Sequence, residues 1–146
     1  MENLTMATDL YELTMSQGYF NEKKTEEIAV FDAFFRKNPF GSGYAIMAGL
    51  DRIIEYIKNL HFTKEDIEYL RSLHLFTEPF LTYLQNFKFH GNIYAIPDGT
   101  VVFEGEPLVT VKAPIIEAQI IESALLSYLN SHICWATASK RIVEAS

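Results

Sequence analysis

At 146 residues and 49% apolar side chains, the chain is long enough to bury a core and too apolar for a disordered one. Its net charge of −7 argues against broad nucleic-acid binding, which needs a positive surface to displace counterions. No apolar run approaches the length needed to span a bilayer. The opening residues Met1–Met6 carry no basic or apolar leader, and the single cysteine, Cys134, can form no internal disulfide. Both point to a reducing, cytoplasmic setting.

Asp9 and Glu12 have capping-box spacing and open a helix that ends near residues 18–20. Leu10, Leu13 and Gln17 form one row on it, and Tyr11, Met15 and Gly18 another. Residues 21–27 are charged and read as a surface loop. Residues 28–35 (IAVFDAFF) are apolar on both faces, the pattern of a central strand. Asp32, inside that strand, is read as a structural hydrogen-bond partner.

Arg36 and Lys37 then open a loop with two glycines, Gly41 and Gly43. Adjacent cations and free backbone N–H groups suit an anion. The spacing matches no phosphate-binding motif, so spacing alone favours a solvated turn. Leu50, Ile53, Ile54, Ile57 and Leu60 make one helical face. Thr63 with Asp66 caps the next helix, which carries Ile67, Leu70 and Leu73. A short helix from Thr77 carries Phe80, Leu81, Leu84 and Phe87. Residues 89–96 form a strand with His90, Asn92 and Tyr94 on one face.

The stretch 97–114 packs a turn (Pro97, Asp98, Gly99), a strand (101–103), a second turn (104–107) and a second strand (108–111). Pro114 suits a first helical turn. The chain then reads helical through about Leu129, with Ile116, Ile120, Ala124, Ser127 and Tyr128 in register. Residues 130–132 are a predicted break, and 133–145 a further helix. The last residue follows with no helix stop, as a chain continuing beyond it would.

Residue types in these patterns yield little chemistry. His61, His74, His90 and His132 have no zinc-ligand spacing, and no metal site is expected. No nucleophile elbow is present. Glu104 and Glu106 flank a turn, and Glu117 and Glu122 read as ordinary helix charges. Cys134, between Ile133 and Trp135, reads as an inert thiol. The residues alone describe an α+β domain of a size to be half of an enzyme.

Several segments in order carry more. TDLYELTM (8–15), FFRKNPFGSGYAI (34–46), Ala48–Leu50, PDGTVVF (97–103), Glu106–Leu108, IEAQIIE (116–122) and Ala136–Thr137 together resemble the opening of nicotinate phosphoribosyltransferases. The resemblance implies a hammerhead-like, barrel-sandwich α+β domain over 1–114. Helices over 115–146 would then lead into the α/β barrel of a type II phosphoribosyltransferase. It implies formation of nicotinate mononucleotide from nicotinate and 5-phosphoribosyl 1-pyrophosphate for NAD synthesis. ATP hydrolysis, with Mg²⁺, would be coupled to that transfer.

It further implies a homodimer whose active sites are completed across the interface. Tyr11 falls where the family presents an aromatic to nicotinate, and an aromatic face can stack on an electron-poor pyridine ring. Arg36 and Lys37 fall where cations could face the pyrophosphate of the donor. No residue here matches the phosphorylated histidine or the second nicotinate-binding segment of the family. The chain alone is therefore expected to be inactive, with no catalytic residue of its own. The alternative from the residues is a non-catalytic dimerisation or regulatory module. A biotinyl- or lipoyl-carrier reading fails, because neither turn presents a lysine.

Overall fold

The structure, a computed structural model, describes residues 3–146. Among the described residues there are six α-helices and five strands, with one 3-10 turn at Pro39–Gly41. They are α1 (Leu10–Asn21), β1 (Ile28–Ala33), β2 (Ala45–Ile46), α2 (Leu50–Asn59), α3 (Lys64–Ser72) and α4 (Glu78–Gln85), then β3 (Asn92–Ala95), β4 (Val101–Val102), β5 (Val109–Pro114), α5 (Ile115–Ile120) and α6 (Glu122–Ala145).

The strands form two antiparallel pieces. In the larger, β5 lies between β1 and β3; in the smaller, β2 pairs with β4. This corrects the expectation for 28–35. β1 is an edge strand with Ile28, Val30 and Phe31 exposed, and β5 is central. An apolar run on both faces marks a strand to be covered, and on an edge strand that cover must come from outside the sheet. β5 shows the opposite signature, with Val109, Val111 and Ala113 buried on one face and Lys112 exposed on the other. Gly91 lies where β3 meets β5. A Cβ there would come within 2.3 Å of the Ala113 Cβ.

The helical core follows the predicted faces closely in α3 and α4. Ile67, Leu70, Phe80, Leu81, Leu84 and Phe87 are all buried. Thr63 accepts from the Asp66 N–H at 3.1 Å, and Asp66 accepts from the Thr63 N–H at 2.8 Å, closing the expected box. In α2, Ile53 faces the core as expected, but Ile54 is exposed and Tyr56 takes a buried place.

The predicted break at 130–132 is not there. α6 runs unbroken for 24 residues. The interruption comes instead at Ile121, which ends α5 and precedes α6 with a ψ of −7°. Asn130, Ser131 and His132 are tolerable helix formers once their polar atoms have partners. Ser131 Oγ bonds the Ser127 carbonyl at 2.5 Å, and His132 Nδ1 lies 2.8 Å from the Tyr128 carbonyl.

Two polar contacts hold α6 and α2 to the strand pieces. Thr137, fully buried on α6, accepts the Ile46 N–H of β2 at 3.0 Å. Asp98 reaches across its turn rather than to its neighbours. It accepts from the N–H groups of Gly49 and Leu50 at 3.2 and 3.3 Å, capping α2, whose own N-cap is a glycine. No described helix is long and apolar enough to cross a membrane.

Candidate active site

α1 presents an unusual face to the core. Glu12, Leu13 and Ser16 are buried, while Leu10, Tyr11 and Met15 are exposed by more than 40% each. Neither apolar row read from the sequence is the buried one. The reason is Glu12. Its carboxylate is the partner for groups on α6, and satisfying it requires turning that side inward. The apolar residues displaced outward then line a cleft.

That cleft, of about 360 Å³, lies between α1, β1, β5 and the α5–α6 junction. Tyr11, Met15, Phe31 and Leu125 supply apolar wall, and Asp32, Gln119 and Glu122 supply polar groups. The Tyr11 hydroxyl lies 3.5 Å from Glu122 Oε1, and Gln119 Nε2 donates to Glu122 Oε2 at 2.9 Å. Asp32 accepts from the Thr110 hydroxyl at 2.5 Å across the β1–β5 pair, the structural bond expected of it, but at an exposed position. Partial desolvation, reinforced by the Glu122 carboxylate, raises the Tyr11 phenol above its ordinary value. Tyr11 is therefore a neutral donor and an open ring face at neutral pH. Glu122 is not an ordinary helix charge.

Arg36 and Lys37 are exposed, beyond the end of β1. Lys37 lines a second cleft of about 230 Å³ with Phe34, Leu108, Leu126, Ile133 and Cys134. Leu126 also lines the Tyr11 cleft, so the two are neighbours through one side chain of α6. The fold thus puts Tyr11 and Lys37 on adjacent openings and gathers neither Arg36 nor Lys37 around Tyr11. The loop that follows is tied down rather than open. The Asn38 N–H donates to Glu104 Oε1 at 2.7 Å, and Arg141 Nη1 donates to the Phe40 carbonyl at 3.4 Å. Glu104 thus already supplies an anion to the first free amide of this loop. Phe40 and Gly41 both have φ near +60°, which for Phe40 is a strained conformation.

Two further residues, Glu117 and Ser123, carry polar roles that spacing could not reveal. Glu117 is buried. It accepts the His90 N–H at 2.5 Å and lies 3.0 Å from His90 Nδ1, pinning the start of β3 to α5. This corrects its reading as an ordinary helix charge. Ser123 belongs with Glu12. His132 is half-buried against Gly49, with its ring 5.3 Å from that of Trp135. Cys134 is half-buried on the wall of the second cleft. Among the described residues no three His, Cys, Asp or Glu side chains gather to hold a cation. Among the described residues, therefore, no side-chain cage for Mg²⁺ is built.

An α+β domain with an open aromatic at one cleft and a cation at the next is the class of architecture seen here. The family model described as the nicotinate phosphoribosyltransferase N-terminal domain matches residues 6–130. A nicotinate phosphoribosyltransferase of Mycobacterium tuberculosis is 42% identical over 139 residues, covering 95% of this chain and 30% of that protein. One from Bacillus subtilis is 41% identical over 141 residues, covering 97% and 29%. The crystal structure of human nicotinic acid phosphoribosyltransferase superposes with a TM-score of 0.85 at 31% identity, over 92% of this chain and 27% of that one. A nicotinate-nucleotide pyrophosphorylase from Pyrococcus furiosus, at 20% identity and a TM-score of 0.57, shares the fold.

The chain belongs to the nicotinate phosphoribosyltransferase family. It spans about 30% of the length of these curated relatives.

Proposed function

We propose that this chain forms the N-terminal part of an enzyme joining nicotinate to the phosphoribosyl group of 5-phosphoribosyl 1-pyrophosphate. The pyridine nitrogen would form the new bond to ribose C1 as the C1–oxygen bond breaks and pyrophosphate leaves with the electron pair. The product is nicotinate mononucleotide, a precursor of NAD. Family membership supports the reaction, and the exposure of Tyr11 is the observation that carries the assignment to this surface. Tyr11 is 48% exposed beside the cleft it lines.

Tyr11 is assigned to the pyridine ring by stacking. The cleft beside it is lined by Asp32 and Glu122 and, among the described residues, by no lysine or arginine. The substrate carboxylate is therefore directed away from the cleft while the ring lies on the outer face of Tyr11. Arg36 and Lys37 are assigned to the pyrophosphate end of the donor, where charge develops on the leaving group. The division at residue 114, with 115–146 leading into a barrel, belongs to the same proposal. So do a cytoplasmic homodimer and an ATP-coupled, Mg²⁺-dependent cycle in the complete enzyme. The exposed apolar residues Trp135, Ile142 and Val143 on α6 support association with further protein surface. On this reading the 146 residues alone turn nothing over.

Tyr11→Ala, made in the enzyme carrying this sequence, tests the reading. Loss of one stacking contact should raise the nicotinate KM by about three- to tenfold and leave the donor KM nearly unchanged. Unchanged nicotinate KM and kcat would remove Tyr11 from the site.

A further inference from the structure

α6 begins without a cap of its own. Its N-cap position is Ile121, which has no side-chain acceptor, and the first amides of a helix need one. The acceptor comes from α1. Glu12 Oε1 receives the Ser123 N–H at 3.0 Å and shares the single Ser123 hydroxyl proton, at 2.9 Å, with Asp9 Oδ2, also at 2.9 Å. Glu12 Oε2 receives the Asp9 N–H at 3.2 Å and the Thr8 hydroxyl. One fully buried carboxylate thus caps two helices at once, its own and, in trans, α6.

The residue types are demanding. Each carboxylate oxygen faces a backbone N–H, so an amide in place of either oxygen would set donor against donor. Ser16 Oγ and Tyr56 Oη are buried without a partner among the described residues, so neither hydroxyl shares in holding the Glu12 carboxylate.

The consequence lies one residue along each helix. Glu12 and Ser123 form a buried rung between α1 and α6; Tyr11 and Glu122 form an exposed rung beside it. The exposed contact is 3.5 Å long and open to water, too weak to set the spacing of two helices. The buried rung sets it. We propose that Glu12 is a positioning residue for the pyridine substrate: by capping α6 in trans it fixes where Tyr11 and Glu122 stand at the mouth of the cleft. This inference rests on the assignment of Tyr11 to the pyridine ring.

The test uses Glu12→Gln and the milder Ser123→Ala, which removes the hydroxyl and keeps the amide. Ile67→Ala, in the α3 core, serves as a control that destabilises elsewhere. In the enzyme carrying this sequence, Glu12→Gln should raise the nicotinate KM about tenfold and Ser123→Ala severalfold, with the donor KM little changed. Ile67→Ala should lower the melting temperature without moving either KM. In the 146-residue chain, the fluorine resonance of 3-fluorotyrosine at position 11, assigned through Tyr11→Phe, should shift in both latch variants and not in the control.

Nicotinate KM values that follow the melting temperature across all three variants would overturn the inference. So would a position-11 resonance that both latch variants leave in place. If Tyr11→Ala itself leaves nicotinate KM unchanged while the resonance still shifts in the latch variants, the substrate assignment fails and the positioning of Tyr11 stands.

Discussion

Replacing Gly49 by alanine asks whether α6 is seated on α2 as described. Gly49 has a φ of +106°, a conformation in which a side chain is strained. A Cβ there would lie 2.9 Å from the His132 Cβ and 3.0 Å from its Cγ. Those atoms are at the root of the side chain, so a rotamer change cannot move the Cβ away. Two costs add: about 1–3 kcal/mol for backbone strain and a further ~1–3 kcal/mol for overpacking. The sum, roughly 2–6 kcal/mol, is a large part of the stability of an ordinary domain.

The two costs separate in a double-mutant cycle with His132→Gly, which removes the Cβ that alanine would keep. In that background the contact is relieved, and Gly49→Ala should cost only the backbone part, about 1–3 kcal/mol. Urea unfolding followed by circular dichroism gives all four values. Equal costs in both backgrounds would show that Gly49 and His132 do not press on each other. A cost under about 0.5 kcal/mol in the wild-type background would refute the backbone reasoning as well.

Thr137→Val keeps the shape of a buried side chain and removes the acceptor of the Ile46 N–H; it should cost about 1–3 kcal/mol and speed amide exchange at Ile46, and unaltered exchange would deny the bond its role. Burial pushes the Glu12 carboxyl above its ordinary value of 4.5, against the pull of its hydrogen bonds to Thr8, Ser123 and Asp9. The folded state then holds more protons than the unfolded one between those two values, so stability falls as pH rises through that window. Urea midpoints of wild type should therefore decline against those of Glu12→Gln above about pH 4.5 and level off once the folded carboxyl is ionised; a constant difference would mean an ordinary titration. Arg36→Ala should raise the KM of the complete enzyme for the phosphoribosyl donor about tenfold, the effect of losing one exposed charge-assisted bond; a change in melting temperature alone would make the 36–44 loop structural.

Local patterns determined a good deal of this protein. The faces of α3 and α4 and the Thr63–Asp66 box are set by neighbours within a few residues, and those are written in order along the chain. The ordered segments from Thr8 to Thr137 likewise carried the family. Tertiary structure decided what local patterns cannot contain. Whether a strand is central or at an edge depends on which strands pair with it, and residues 28–35 look the same either way. Where α6 begins depends on a carboxylate more than a hundred residues earlier, because a helix N-terminus can take its cap from any segment that reaches it. The burial of Glu12 and the exposure of Tyr11 are a single fact of packing: one buried charge with its partners turned the helix over, against the hydrophobic period of its own sequence.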